Sequence, residues 1–372
     1  MNTKMTLAAA LAVAAAAASG AQAAELVYSS HSPDDHRDNQ VMRAYFDAVA
    51  PEGAADTVQI IGGGAVASGG NALSAVKSRA VDSAVVIYAY APSEIPVISM
   101  IGDFPGNNTP VAAAATTETM LIDCPQCREE MDRVGVEVLI NVATEPYNFM
   151  CRSDAVATPA DLQGKKVRAT GVLSQLVAQM GGTTVNIAYN EIYEGMQRGQ
   201  IDCTILGASN LKGVQVWDVA KTLTDLSLGT FNSYGLLLVN QDLWKGMSAD
   251  DRQRWIGGLG KLMSDHARVN LEVADEALET GVNEKGLKVV EPTAELASAV
   301  KDFQEKQIDL VLATARERGV ENPEGIVARY QQNVVKWQAI AEEIGEQPWT
   351  QAQWDAFGAR VQSEIYARVA LD

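Results

Sequence analysis

Basic residues and histidines are scarce in this 372-residue chain. Lysine and arginine number 29 against 47 aspartates and glutamates, which gives a formal net charge of −18. Nucleic acids and anionic membrane surfaces both require a basic face, so the balance of charge argues against them as partners. Only three histidines occur, and no Gly-x-Ser-x-Gly sequence is present, which leaves little material for a nucleophilic triad. We therefore expect no catalysis and no cofactor.

The few histidines also argue against a metal site. His31 and His36 bracket Asp34 and Asp35, which superficially suggests a cluster of metal ligands. Zinc requires three or four ligands in a defined shell, and the remaining histidine, His266, is far away on a predicted helix. We expect no bound metal.

Long apolar runs are limited to one, at residues 6–18. It follows Lys4 and precedes Ala21-Gln22-Ala23, so residues 1–23 form a predicted secretory signal peptide. The run is too short for a stable membrane span, and no cysteine follows the cleavage site to carry a lipid anchor. We expect the mature chain to be free in the periplasm, with no direct insertion into the membrane.

Cysteine is also rare, and the four copies fall into two pairs. In an oxidising compartment an even count favours two disulfides over a metal site. Cys124 and Cys127 are close enough to bridge each other, and Cys151 and Cys203 lie in two predicted strands that could be neighbours. These pairings are predictions from location, because connectivity cannot be deduced from sequence alone.

The spacing of Cys124 and Cys127 also occurs in thiol oxidoreductases, whose reactive cysteine has a lowered pKa. An extracytoplasmic thiol oxidoreductase that uses this pair is therefore an alternative function. Three acidic residues follow directly: Glu129, Glu130 and Asp132. Their charges would raise the pKa of a thiol instead of lowering it, which argues against this alternative.

Alternating strand and helix patterns organise the rest of the chain. A β-α-β-α-β unit appears twice, once before and once after about residue 145. That order predicts an α/β fold with parallel sheets and helices on their faces. We expect two similar lobes that face each other across a ligand cleft, with hinge strands crossing between them. We assign residues 24–145 and 230–272 to lobe I, and residues 146–229 and 273–372 to lobe II.

Arg168 is the strongest functional candidate. It stands at the C-terminal end of a predicted strand, residues 166–169, and ligands of parallel sheets bind outside the carboxyl ends of the strands. Its planar guanidinium matches a carboxylate with two parallel hydrogen bonds. The alternative is a structural arginine that pairs with Asp161 or Asp202, and for a single arginine this is the commoner case.

Three stretches of the central region carry a family resemblance: Pro159-x-Asp-Leu-x-Gly-Lys-Lys-Val-Arg168, Ala188-Tyr-Asn-Glu-Ile-Tyr-x-x-Met-Gln-x-Gly-x-Ile-Asp202, and Trp217-Asp-Val-Ala-Lys-Thr-Leu-Thr-Asp225. Their order resembles the substrate-binding proteins of TRAP transporters (DctP type), and compatible sequence runs from about residue 25 to at least residue 310. The resemblance implies a two-lobed periplasmic binding protein with a long helix spanning both lobes, here predicted from Ser248 towards residue 278. It also implies a monomer that captures a small organic acid and delivers it to the membrane subunits of a TRAP permease.

The resemblance further implies roles for individual residues. Arg168 would clamp the carboxylate of the ligand, and Tyr189 matches an aromatic residue placed against it. The Gln-Glu-Asn-Pro sequence that usually follows the next strand is absent, so Asn210, Ser209 and Gly207 compete for the role of its asparagine.

Further ligand-binding candidates come from the strand before Arg168 and from loops that line the cleft in the family. A second arginine in many relatives matches Asn148 here, and Arg152 is the nearest arginine on the same strand face. Loops can also be polar simply because they are exposed. The candidates in this group are Asn148, Arg152, Ser30, His31, Tyr88, Tyr90, Phe231 and Asn232.

The identity of the acid stays open. Dicarboxylates, hydroxy or oxo acids, sugar acids and aromatic acids all present a carboxylate, and the missing asparagine sequence puts a C4-dicarboxylate in doubt. A receptor that senses a solute for a signalling partner is a further alternative to transport.

Overall fold

The structure is a computed structural model that describes residues 25–49 and 58–369. The predicted signal peptide lies outside these residues. The strands are β1 (Leu26–Ser29), β2 (Val58–Ile61), β3 (Ser83–Ile87), β4 (Val136–Val142), β5 (Tyr147–Cys151), β6 (Lys166–Arg168), β7 (Thr183–Val185), β8 (Cys203–Gly207), β9 (Thr222–Thr224), β10 (Tyr234–Asn240) and β11 (Lys288–Val290). The α-helices are α1 (Arg37–Val49), α2 (Ala72–Lys77), α3 (Pro96–Gly102), α4 (Thr109–Leu121), α5 (Pro125–Val134), α6 (Leu173–Gln179), α7 (Ile192–Gln197), α8 (Asn210–Gly213), α9 (Gln241–Gly246), α10 (Ala249–Gly257), α11 (Leu259–Glu284), α12 (Ala294–Glu317), α13 (Pro323–Ile344) and α14 (Gln351–Glu364).

Two sheets define the two lobes. The first lobe surrounds a five-stranded sheet with the order β2-β1-β3-β10-β4, and the second surrounds a six-stranded sheet with the order β11-β9-β5-β8-β6-β7. Strands β1, β2 and β3 are parallel, as are β6, β7 and β8. The repeated β-α-β-α-β unit predicted from the sequence is therefore confirmed, and with it the two-lobed α/β fold.

Each sheet contains one antiparallel strand next to a crossing between the lobes. Strand β10 runs antiparallel to β3 and β4 in the first sheet, and β5 runs antiparallel to β8 and β9 in the second. The two connecting segments hydrogen-bond to each other: Thr144 N donates to Phe231 O at 3.1 Å, and Tyr147 N donates to Gly229 O at 2.9 Å. These segments form the hinge between the lobes.

The predicted long helix from Ser248 is interrupted in the structure. Ser248 caps α10, because its Oγ accepts from Asp251 N at 3.1 Å, but the chain turns at Gly258 before α11 begins. A Cβ at Gly258 would lie 2.8 Å from Val49 Cγ1 and 3.0 Å from Tyr45 Cε2, so α1 approaches this turn closely. The expectation of one continuous helix from Ser248 was therefore wrong.

Helix α11 nevertheless contacts both lobes, as expected. Arg37 Nε, at the start of α1, donates to Asn270 Oδ1 at 2.9 Å, and Lys212 on α8 pairs with Glu276 at 2.7 Å. The helix therefore links the N-terminal helix of the first lobe with the second lobe.

The C-terminal helices lie against elements of the first lobe. Helix α13 packs on α4, and α14 packs on α11. Buried Glu118 of α4 accepts from Trp337 Nε1 at 2.7 Å and pairs with Lys336 Nζ at 2.9 Å, and Tyr366 Oη donates to Leu139 O on β4 at 3.0 Å. The predicted lobe boundaries placed Lys336, Trp337 and Tyr366 in lobe II, and those boundaries stay a prediction.

Both predicted disulfides are present. Cys124 bonds to Cys127 at the start of α5, and Cys151 bonds to Cys203, its cross-strand neighbour in the second sheet. Among the helices in the described ranges, none is both long and apolar enough to span a bilayer.

Candidate ligand-binding site between the lobes

A cavity of about 440 Å³, including the space at its open mouth, lies between the two lobes beside the hinge. Charged residues and histidines from both lobes line it, namely His31, His36, Arg37, Asp38 and Arg168.

Arg168 is held at the cavity by the end of its strand. Thr158 Oγ1 accepts from Asp161 N at 3.3 Å and Asp161 Oδ2 accepts from Thr158 N at 2.7 Å, so Thr158 caps the turn that follows. The turn that it begins, Pro159–Leu162, is a single 3₁₀ turn, and β6 follows with Arg168 as its last residue. Because β6 lies between β7 and β8, the guanidinium emerges at the carboxyl edge of three parallel strands.

The guanidinium of Arg168 has no anionic partner in the described part of the chain. The residue is only 4% exposed, yet no described carboxylate lies within 4.0 Å of it. Its Nη2 donates to Tyr90 Oη at 2.8 Å and its Nε to Ile187 O at 3.4 Å. The two aspartates proposed as structural partners bond to backbone N–H groups instead, Asp161 within its own cap and Asp202 to Lys166 N. A buried, permanently charged group without a counter-ion is costly, so this geometry favours a bound anion.

Tyr189 closes the second lobe's side of the cavity. Its Oη donates to Asn210 Oδ1 at 2.5 Å and lies 3.3 Å from His36 Nε2 of the first lobe. Asn210 Nδ2 in turn donates to Gly207 O at 3.1 Å. Burial raises the pKa of Tyr189, so the phenol is neutral and can donate. Together with the bond between Arg168 and Tyr90, this contact joins the lobes across the cavity.

A buried charge cluster forms the first lobe's side, and sequence reasoning missed it. Asp38 accepts a short hydrogen bond from Tyr234 Oη. Its carboxylate lies 3.4 Å from both His36 Nδ1 and His266 Nε2, and 3.8 Å from Arg37 Nε. Burial opposes ionisation, but His36, Arg37 and the hydrogen bonds hold the pKa of Asp38 well below its usual range. Burial also lowers the pKa of His36. The positive charge of Arg37 is therefore already balanced by the carboxylate of Asp38.

Aromatic rings form much of the cavity wall, in a chain that is only 6% aromatic. They are Tyr90, Tyr147, Tyr189, Phe231 and Tyr234. The rings of Tyr147 and Phe231 are stacked, with centroids 5.6 Å apart and planes 8° from parallel. Flat aromatic walls favour a ligand with a flat, apolar body.

The cavity brings together six of the twelve ligand-binding candidates from the sequence. They are Arg168, Tyr189, Asn210, Tyr90, His31 and Phe231. Sequence reasoning missed Tyr147, Tyr234 and the charge cluster around Asp38. The Asp-Asp-His-Arg-Asp run beginning at Asp34 was a visible signal, because its last three residues, His36, Arg37 and Asp38, are all buried around the start of α1.

The other six candidates lie away from the cavity lining. Ser209 donates to Glu145 Oε1 at the hinge, and Asn148 Nδ2 donates to Thr224 O at 3.2 Å. Asn232 Nδ2 donates to Phe104 O at 2.8 Å. Three further residues complete the set: Tyr88 and Ser30, which are buried, and Arg152, which is exposed.

Comparison with known proteins identifies the class. The family model for bacterial extracellular solute-binding proteins, family 7 (DctP), matches residues 52–314, more than two thirds of the chain. The chain belongs to this family, which comprises the substrate-binding proteins of TRAP transporters.

Curated relatives match over shorter segments. The C4-dicarboxylate-binding periplasmic protein DctP of Rhodobacter capsulatus is 27% identical over 146 residues, 39% of this chain and 40% of the relative. The ectoine-binding periplasmic protein TeaA of Halomonas elongata is 27% identical over 125 residues, 32% of this chain and 35% of the relative. The matched segment thus spans less than half the length of these relatives.

Solved structures match over nearly their whole length. A TRAP solute-binding protein of Rhodoferax ferrireducens in complex with copurified benzoate has a TM-score of 0.73 at 17% identity, covering 86% of this chain and 99% of that one. A marine metagenome protein specific for aromatic acid ligands, in complex with 3-hydroxybenzoate, has a TM-score of 0.74 at 16% identity, covering 84% and 98%. At these identities the comparisons establish the fold.

Proposed function

We propose that this protein captures a small organic acid by its carboxylate and delivers it to the membrane subunits of a TRAP permease. The observation that carries the proposal is the buried guanidinium of Arg168, which faces the cavity without a described anionic partner. A carboxylate would satisfy the charge and accept hydrogen bonds from the planar fork. Membership of the solute-binding family supports the same function.

Within this proposal, the lining of the cavity supports aromatic monocarboxylates as the class of acid. Arg37 also lines the cavity, but it lies beside Asp38 at 3.8 Å, so it offers little net charge to a second carboxylate. The aromatic walls suit a flat body attached to the single acid group. The solved relatives that bind benzoate and 3-hydroxybenzoate support this choice.

Capture requires the lobes to close around the acid. The ligand enters while the hinge is open, and its carboxylate pairs with Arg168 on the second lobe. Closure brings Tyr90 onto Arg168 and Tyr189 towards His36, as the hydrogen bonds across the cavity indicate. Excluding water from the cavity strengthens the ion pair, because the local dielectric constant falls.

The oxidoreductase alternative is not favoured. Cys124 and Cys127 form a disulfide whose two residues are both buried. A redox partner requires an accessible sulfur atom to attack. This pair therefore fits a structural role, and it lies outside the lining of the cavity.

A thermal-shift screen of the mature protein tests the proposal. The panel contains aromatic, aliphatic and dicarboxylic acids, with neutral sugars and amino acids as controls. A ligand that binds only the folded state stabilises it by about 2.7 kcal/mol at a hundredfold excess over Kd. Melting temperatures that rise only with carboxylates support the proposal. A response to neutral solutes alone would refute it.

A further inference from the structure

His31 is a buried polar residue whose chemistry the capture of a carboxylate does not use. It lies in the loop between β1 and α1, is 4% exposed and lines the cavity. Its Nδ1 is sealed from solvent without a hydrogen-bond partner, and neither ring nitrogen bonds to a described residue. Buried polar atoms are rarely left unpaired, so an orphaned imidazole at a binding cavity calls for an explanation.

The neighbours of His31 fix how its ring is presented. The ring of Tyr189 meets it edge to face with centroids 5.2 Å apart, and the ring of Tyr234 lies 6.3 Å away. Both contacts are between ring surfaces and leave the two nitrogen atoms unsatisfied. His31 belongs to the first lobe and Arg168 to the second, and both line the same cavity.

The charge state of His31 defines what it can recognise. The charged and titratable groups that act on it are Asp38, His36 and Arg168. Burial outweighs the attraction of Asp38 and lowers the pKa of His31 to about 4, so the ring is neutral above that pH. A neutral imidazole has one donor and one acceptor nitrogen. Its natural partner is a group that can both donate and accept, such as a hydroxyl.

We propose that His31 is a specificity-determining residue, which hydrogen-bonds to a hydroxyl group on the body of the acid that Arg168 holds. The inference rests on the proposed function and deepens it, because it names the ligand class as hydroxylated aromatic monocarboxylic acids. A site built to hydrogen-bond a hydroxyl rejects the analogue that lacks it, since the buried polar group is then left unpaired.

The test compares matched pairs of acids that differ by one hydroxyl. Benzoate with 3-hydroxybenzoate, and phenylacetate with mandelate, are titrated calorimetrically into the wild type and His31→Phe. We expect the wild type to prefer the hydroxylated member of at least one pair by about tenfold or more. In His31→Phe the preference should fall to within about twofold, while affinity for the unsubstituted acid stays within a fewfold.

Ser32→Ala is the matched control. The Ser32 hydroxyl is also buried and unpartnered in the same loop, but the residue does not line the cavity. Removal of the Ser32 hydroxyl should leave the preference for the hydroxylated acid unchanged. If Ser32→Ala loses that preference, the loop as a whole determines it, and the assignment to His31 is overturned.

The remaining outcomes are equally decisive. Equal binding of both members of each pair by the wild type, or an unchanged preference in His31→Phe, overturns the inference and leaves carboxylate capture intact. If His31→Phe binds neither acid, His31→Gln provides the test, because glutamine restores a hydrogen-bond donor and an acceptor. A retained preference for the hydroxylated acid in His31→Gln supports the role of His31 in specificity, and any other result refutes it. If the wild type binds no acid of either pair, the aromatic-acid function itself fails.

Discussion

At the residue scale, two arginines of the second lobe have opposite environments. Arg168 is buried at the end of β6 and faces the cavity, whereas Arg152 is exposed and lies next to Gly199 on the surface. Water therefore stabilises the charge of Arg152, whereas the charge of Arg168 is shielded from water. The contrast makes Arg152 a natural control for experiments on Arg168.

Arg168→Ala should abolish acid binding. It removes the partner of a desolvated carboxylate, and the loss is about 2–5 kcal/mol, or from about thirtyfold to several thousandfold in Kd. Calorimetric titration with the acid found in the screen measures it, and Arg152→Ala should bind as the wild type does. Near-wild-type affinity in Arg168→Ala would contradict the clamp.

Asp103 gives a prediction about pH. Its Oδ1, at the end of α3, accepts from Val172 N of the second lobe at 3.2 Å. Gly171 has φ +57°, and a Cβ there would collide with the same oxygen. Burial raises the pKa of Asp103 to about 6, against about 3.9 for an unfolded aspartate. Between these values the folded state holds more protons, so the free energy of unfolding falls as the pH rises through this window.

Asp103→Asn should therefore stabilise the protein at neutral pH. Because the side chain is only half-buried, we expect a gain on the order of 1–2 kcal/mol at pH 7.5 that shrinks towards pH 4. Urea denaturation at both pH values measures the difference, with exposed Asp302→Asn as the control. Equal gains at both pH values would show that the charge of Asp103 is not the cause.

At the scale of elements, the short helix α8 approaches the start of α1 across the cavity. A Cβ on Gly213, the last residue of α8, would lie 2.8 Å from His36 Nε2 and 3.0 Å from Arg37 Nη1. Both distances are shorter than ordinary contacts with a Cβ. The absence of a side chain at Gly213 thus lets the second lobe come this near to the first.

Gly213→Ala should weaken ligand binding without unfolding either lobe. Overpacking costs about 1–3 kcal/mol, and here the strain exists only when the lobes are closed, so Kd should rise about fivefold to a hundredfold. The control is Gly257→Ala at the end of α10, where a Cβ would meet nothing within 4 Å. Calorimetry and thermal melting separate the two effects: unchanged affinity in Gly213→Ala would show that α8 does not limit closure.

How well the sequence predicts a structural feature depends on how far apart along the chain the interacting residues lie. Local patterns predicted the repeated β-α-β-α-β unit and the strand that carries Arg168 at its end, because both depend on neighbours along the chain. Contacts between distant residues were missed, such as the packing of α1 against the turn at Gly258 from more than two hundred positions earlier in the chain. Asp38 and Tyr234 were missed for the same reason: their hydrogen bond joins residues 196 positions apart. The hydrophobic periodicity of a sequence does not indicate which distant residues form such a pair.

At the scale of the whole molecule, the hinge determines what binding does to shape. The two connecting segments are hydrogen-bonded to each other, so we expect them to bend together when the lobes open or close. Among the described residues, side-chain hydrogen bonds bridge the cavity between Arg168 and Tyr90 and between Tyr189 and His36. An acid held by Arg168 adds a further link across the same gap and should favour the closed arrangement.

Ligand binding should therefore make the protein more compact in solution. Small-angle scattering with and without a saturating acid from the screen should show a smaller radius of gyration in the complex. Arg168→Ala with the same acid should show no change. Compaction in that variant, or none in the wild type, would contradict closure around a clamped carboxylate.

The position of β10 also constrains the order in which the protein can be built. This strand lies between β3 and β4, so the first sheet has a gap at its centre until residue 240 has been synthesised. The same lobe also receives Tyr366, whose hydroxyl bonds to Leu139 O of β4. The first lobe therefore stays incomplete until both of these later segments have been made, and its folding waits on contacts between residues that are far apart along the chain.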